Sequence, residues 1–132
     1  MSDVMITVAA WLLVLVLIAY IIWNYFRLKK AANYVSNAEF QELIRAGGQL
    51  IDIRDSKLFQ KKHILGARNF PMLPKEQFEA SLPALRKNKP VLIYEGARGQ
   101  AAGRAALILK KSGFTDIYVL SDGFDYWNGK VK

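Results

Sequence analysis

The chain contains no cysteine, which excludes disulfides, thiolate metal sites and thiol catalysis by its own residues. It has a single histidine, His63. Structural and catalytic metal sites draw on several His or Cys side chains, so no metal site is expected and no cofactor is implied. Charge is missing from one place in particular: between Met5 and Trp23 there is no Asp, Glu, Lys or Arg. Glycine is absent from that run too, and no small-xxx-small face stands out beyond Thr7 and Ala10, so dimerisation through it is only weakly suggested.

What fills the run is Leu, Ile, Val and aromatic residues, continuing through Asn24, Tyr25 and Phe26. About 20 apolar residues suffice to cross a bilayer. Trp11 lies toward one end, while Trp23 and Tyr25 fall where an interfacial aromatic belt would stand. Only Asp3 precedes the run, whereas Arg27, Lys29 and Lys30 follow it. Because basic flanks stay on the cytoplasmic side, the expected topology places the N-terminus outside and the remainder in the cytoplasm. A cleaved signal peptide is the rival reading. The leading residues lack Lys and Arg, the run is long, and no small-x-small cleavage site follows it, which favours an uncleaved anchor. The expected organisation is an anchor over residues 1–28, a juxtamembrane linker over 29–34 and one folded domain over 35–132, a length suited to a single core.

Sixteen of the nineteen Lys and Arg residues lie beyond residue 30, against ten of the eleven Asp and Glu residues. The basic residues are spread along the chain without a Lys/Arg block, so a face near anionic lipid explains them better than nucleic acid does. The expected partners are therefore the lipid bilayer and a protein not identified by the sequence, with no nucleic acid.

Ser36-Asn37-Ala38-Glu39 matches a capping box. The helix it opens, Asn37 to Ala46, places Phe40, Leu43 and Ile44 on one face and ends at Gly47-Gly48. Leu50 to Ile53 reads as a buried strand, and Asp55 starts a short helix carrying Leu58 and Phe59. Asn69-Phe70-Pro71 is extended, and Pro74 opens a helix to about Leu82 with Phe78 inward. Val91 to Tyr94 is a second buried strand and Asp116 to Leu120 a third, with Phe124 to Trp127 closing the core. Strands alternating with helices predict an α/β fold with a parallel sheet and right-handed crossovers.

The most informative stretch joins the strand Val91–Tyr94, a loop (Glu95, Gly96, Ala97, Arg98, Gly99) and an Ala-rich helix from Gln100 to Ser112, stopped by Gly113. Loop amides and a helix N-terminus together make a cradle for a small anion. Such sites collect at the carboxyl ends of parallel strands. The paired alanines (Ala101-Ala102, Ala105-Ala106) let the helix approach the sheet. At the mouth of the cradle stands Glu95.

Taken in order, V-S-N-A-E-F, L-I-D-I-R-D, F-x-K-K-H-I-L-G-A-R-N-F-P, K-P-V-L-I-Y, S-G-F-T-D-I-Y-V-L and S-D-G-F-D-Y-W resemble the rhodanese family over about residues 35–128. The resemblance implies a rhodanese-like domain with a central parallel sheet flanked by helices. It also implies, for active members, a cysteine directly after the central strand that carries sulfur as a persulfide, with an arginine and a small hydroxyl residue closing the loop. Here the cysteine position matches Glu95, the arginine position Gln100 and the hydroxyl position Ala101. The implied reading is a degenerate loop, Glu95 to Gln100, with no catalytic residue, in a membrane-anchored binding or regulatory module.

Two roles for Glu95 stand open: a base or recognition group on an anionic substrate, in an enzyme of altered chemistry, or a built-in counterion for the helix N-terminus. A lone carboxylate without a second acid, base or metal favours the counterion. Arg98 either holds an anionic ligand or pairs with Glu95. A further alternative is an accessory subunit that exchanges sulfur with a cysteine on a partner. His63 is expected to satisfy backbone or carboxylate groups. The resemblance suggests that Asp52 and Arg54 stabilise the strand end, with an internal ion pair between them open.

Overall fold

The computed structural model describes residues 2–30, 32–97 and 100–132. Helix α1 (Ser2–Lys30) comes first. Its segment Ser2–Phe26 is long and apolar enough to cross a membrane, and none of it is buried against the rest of the chain. The domain then runs β1 (Asn33–Val35), α2 (Asn37–Arg45), β2 (Gln49–Asp52), α3 (Ser56–Lys61), β3 (Arg68–Asn69), α4 (Lys75–Ser81), β4 (Val91–Tyr94), α5 (Ala101–Lys111) and β5 (Ile117–Leu120).

All five strands are parallel, in the order β1-β5-β4-β2-β3. The central strand, β4, is apolar throughout because both of its faces are covered. Its side chains alternate. Val91 and Ile93 enter one core layer with Phe78, Leu109 and the small faces of Ala102, Ala105 and Ala106. Leu92 and Tyr94 enter the other with Phe40, Ile64 and Leu120, where Trp127 packs edge-on to Phe40. Alanines on α5 let that helix lie close over the sheet, as its spacing predicts.

The N-cap half of the expected capping box forms: the Ser36 hydroxyl accepts from the Glu39 amide at 3.3 Å and donates to the Glu39 carboxylate at 3.5 Å, so that carboxylate meets the hydroxyl in place of the Ser36 amide. Two short edges differ from the sequence expectation. Where a linker through Tyr34 is predicted, α1 stays helical to Lys30 and Asn33–Val35 pairs with β5. Arg68–Asn69 pairs with β2 instead of being merely extended. Strands of two or three residues carry too little alternation to be read, and both form because a neighbouring strand offers free backbone groups. The chain end is pinned as well: Lys132 and His63 exchange backbone hydrogen bonds at 2.9 and 3.3 Å around an antiparallel bridge between Ile64 and Val131.

Candidate functional site

The loop after β4 lies at the carboxyl end of the sheet, between the ends of β2 and β5. Its backbone is latched from one side. The Phe124 amide donates to the Glu95 carbonyl at 2.7 Å, and the Asp125 amide donates to the Gly96 carbonyl at 2.8 Å. Gly123 makes this approach feasible. It sits at φ +78°, and a Cβ there would stand 2.9 Å from the backbone of Ala97 and from the Gly96 carbonyl oxygen. Both the left-handed conformation and the lack of space require glycine.

The Glu95 side chain turns toward the start of α5 and accepts the Ala102 amide proton at 2.5 Å. Gln100, the N-cap residue of α5, makes no side-chain cap bond, so the Glu95 carboxylate, five residues upstream, serves in that place. Three influences act on its proton affinity. Burial raises the pKa above the ordinary carboxyl value, while the Ala102 amide and the positive Arg104 lower it; burial wins and the net direction is upward. Arg104 itself reaches the Gln100 side-chain oxygen at 3.3 Å. Ala97 is exposed at the loop tip. Arg98 and Gly99 lie outside the described residues, and with them the expected Arg98–Glu95 pairing.

Beneath the loop is a buried polar knot. Asp52 is fully buried, and the Arg54 guanidinium binds it through Nε at 3.0 Å and through its terminal nitrogen at 2.7 Å, while the Arg54 amide donates to the same carboxylate at 2.8 Å. The guanidinium also donates to the Lys62 carbonyl at 2.6 Å and lies 4.3 Å from the centre of the Phe124 ring. Burial opposes its charge, but the bonds to Asp52 and its field outweigh that, and the Arg54 pKa rises. The Tyr94 hydroxyl accepts the Ile64 amide at 3.1 Å, and burial raises its pKa well above the ordinary phenol value. The knot therefore ties the ends of β2 and β4 to the segment carrying His63. The His63 Nδ1 lies 2.8 Å from the Phe59 carbonyl oxygen, and its ring stacks on Phe59 at 3.8 Å. It satisfies backbone, as expected.

The ion pair left open in the sequence is thus present, and Glu95 meets the helix start. What sequence reasoning missed is the latch from Gly123, Phe124 and Asp125, together with the Tyr94 hydroxyl as a tie. Among the described residues no group of three His, Asp or Glu side chains stands together to hold a metal ion.

Residues 36–130 match the model of the rhodanese-like domain. The chain is 38% identical over 115 residues to the uncharacterized protein YqhL of Bacillus subtilis, covering 87% of each chain. It is 32% identical over 93 residues to the thiosulfate sulfurtransferase GlpE of Pseudomonas aeruginosa, covering 70% of this chain and 81% of that one. The crystal structure of BH2092 from Bacillus halodurans superposes with a TM-score of 0.66 at 25% identity, over 86% of this chain and 85% of that one. The chain belongs to the rhodanese-like domain family.

Proposed function

We propose that this rhodanese-family chain is held in a membrane by α1, with its N-terminus outside and its domain in the cytoplasm, and that the domain works as a binding or regulatory module. The observation that carries this reading is the Glu95 carboxylate on the Ala102 amide. In the family pattern a thiolate stands at that position, and here the cradle is filled by a side chain that cannot accept and release sulfur. GlpE bears the name of a sulfur-transfer enzyme. This chain shares its fold but has no cysteine anywhere, so a persulfide cannot form on it.

Two further features support binding. Leu73, on the loop after β3, is 79% exposed, and Tyr126, beside the latch, is 70% exposed. Both stand at the carboxyl end of the sheet, where large apolar side chains left in water suit a protein partner. The apolar segment Ser2–Phe26 and the basic residues Arg27, Lys29 and Lys30 that follow it in sequence support the anchor and its orientation.

The full chain in detergent micelles should give no more thiosulfate:cyanide sulfur transfer than a heat-killed control, and robust turnover would refute the reading. Membrane-impermeant maleimide tests the topology, since any introduced cysteine is the chain's only one. In intact cells it should label Ser2→Cys and spare Asn88→Cys. An enzyme of altered chemistry is the second reading, favoured by the half-buried, pKa-raised Glu95. Such an activity would vanish in Glu95→Gln, whereas partner capture by cross-linking in native membranes would survive. A captured partner with an essential cysteine would point to the accessory-subunit variant.

A further inference from the structure

The two ends of the sheet carry different groups. The Glu95 loop is at the carboxyl end. At the amino end, the bend Arg86-Lys87-Asn88-Lys89 leads into β4, and Lys110 and Lys111 close α5. The structure places these two segments side by side. The Gln49 side chain at the start of β2 accepts from the Arg86 amide at 2.7 Å and donates to the Arg86 carbonyl at 2.8 Å, which holds the bend under the sheet. The Lys87 ammonium passes 3.1 Å from where a Gly113 Cβ would stand, over the Phe114 ring that follows the α5 terminus.

Arg86, Lys87, Lys89, Lys110 and Lys111 are all exposed. None takes part in an ion pair among the described residues, which are Glu42–Arg45, Asp52–Arg54 and Lys75–Glu79. Two acidic groups toward this end are engaged elsewhere, Glu42 with Arg45 and Glu79 with Lys75, which leaves Asp116 as a lone exposed carboxylate among these cations. Lysines in the last turn of a helix complement its dipole, which accounts for Lys110 and Lys111 but not for the three cations on the bend.

A second, independent observation concerns α1. It ends at Lys30, and β1 begins at Asn33 at this same amino end. Two intervening residues reach at most about 3.6 Å each. If α1 crosses a bilayer, the amino end of the sheet is therefore the end tethered next to the headgroup layer, with the bend two strand spacings, about 10 Å, across the sheet from β1. The Glu95 loop lies beyond the full length of β4, about 13 Å further on.

We propose that the amino-terminal end of the sheet, carrying Arg86, Lys87, Lys89, Lys110 and Lys111, docks on anionic lipid headgroups and holds the Glu95 loop facing away from the bilayer. This rests on the anchored reading of α1. It gives the basic excess a specific place, and it fixes which face a partner meets: the one bearing Glu95, Leu73 and Tyr126.

The test uses the full chain reconstituted in vesicles, with a fluorophore on Asn88→Cys or on Ala97→Cys and spin-labelled headgroup lipids as quenchers. In phosphatidylglycerol-rich vesicles the Asn88 label should be quenched and the Ala97 label should not. Quenching at Asn88 should be lost in pure phosphatidylcholine, in about 1 M salt, where the screening length falls to about 3 Å, and in the variant K87E/K89E/K110E/K111E. The lipid and salt arms keep the native charges, so they decide the matter even if the variant misfolds. Equal quenching at Asn88 in both lipids, or stronger quenching at Ala97, overturns the docking. Release of the chain from the vesicles by an alkaline carbonate wash overturns the anchor, and the docking with it.

Discussion

The Glu95 carboxylate accepts the backbone proton of Ala102 at 2.5 Å. A side chain at the mouth of the loop thereby supplies the negative charge that the start of α5 would otherwise take from a ligand or a reacting group. Opposing influences meet at this atom pair. The amide and Arg104 favour the carboxylate, and burial disfavours it by more.

The sign of that balance sets a pH dependence. Glu95 has a pKa raised in the folded chain, so the folded state holds its proton more tightly than the unfolded state. Stability then falls as pH rises from the ordinary carboxyl value of 4.5 through the raised value, and is level above it. The carboxamide oxygen introduced by Glu95→Gln still accepts the Ala102 amide but carries no charge to bury. Glu95→Gln should therefore match or exceed the parent melting temperature at pH 7, with the gap closing as pH drops toward 4. Thermal unfolding of both full chains in detergent across that range checks it. A variant less stable at pH 7, with the deficit vanishing in acid, would mean that the helix dipole outweighs burial.

Asp52 and Arg54 have the opposite character, because each is the other's main partner in a buried setting. Removing only the cation strands a fully buried carboxylate. Arg54→Met should cost about 3–5 kcal/mol, the range for breaking a buried pair. The double variant Asp52→Asn/Arg54→Met should lose clearly less than the sum of the two single losses, since no charge is left unpaired. Urea titration of the four chains measures the coupling, and simple additivity would show that the pair is not the unit described.

The pattern of helices and central strands was legible because each long element carries its own signal. The Ser36–Glu39 box, the Phe40/Leu43/Ile44 face, the uninterrupted Val91–Tyr94 and the alanine pairs of α5 all state locally what the fold does globally. The edges β1 and β3 were not legible. Their few residues are recruited by pairing with β5 and β2, a tertiary effect with no local trace. At the site, Glu95 and its helix could be read from adjacency in the chain. The latch could not, because Gly123 and Ala97 lie far apart in sequence and meet only when β4 and β5 align.

That latch is a point of failure with no slack. Gly123→Ala places a methyl 2.9 Å from the Ala97 backbone and demands φ near +78° from a residue that avoids it. The expected loss is about 1–3 kcal/mol. The damage should be local, with amide exchange accelerated at Phe124 and Asp125, which donate to the loop carbonyls, and β4 still protected. Unchanged protection at those two amides would remove the latch from the account.

The missing nucleophile can be put back. Glu95→Cys places a thiol directly after β4, at the mouth of the loop that leads into α5, as the only cysteine of the chain. The helix start and Arg104 favour a thiolate, but burial, which outweighs them at Glu95, acts on a thiol in the same direction, so the thiol pKa should lie at or above the ordinary value of about 8.5. The pH profile of its alkylation by iodoacetamide reports this directly, with no competing thiol. Sulfur transfer should stay weak in this single variant, because Gln100 and Ala101 stand where the family pattern has an arginine and a hydroxyl residue. Adding Gln100→Arg and Ala101→Ser to Glu95→Cys should raise thiosulfate:cyanide turnover at least tenfold over Glu95→Cys alone, which corresponds to about 1.4 kcal/mol in the barrier. A thiol titrating clearly below about 8.5 would show that the helix start and Arg104 outweigh burial at this position.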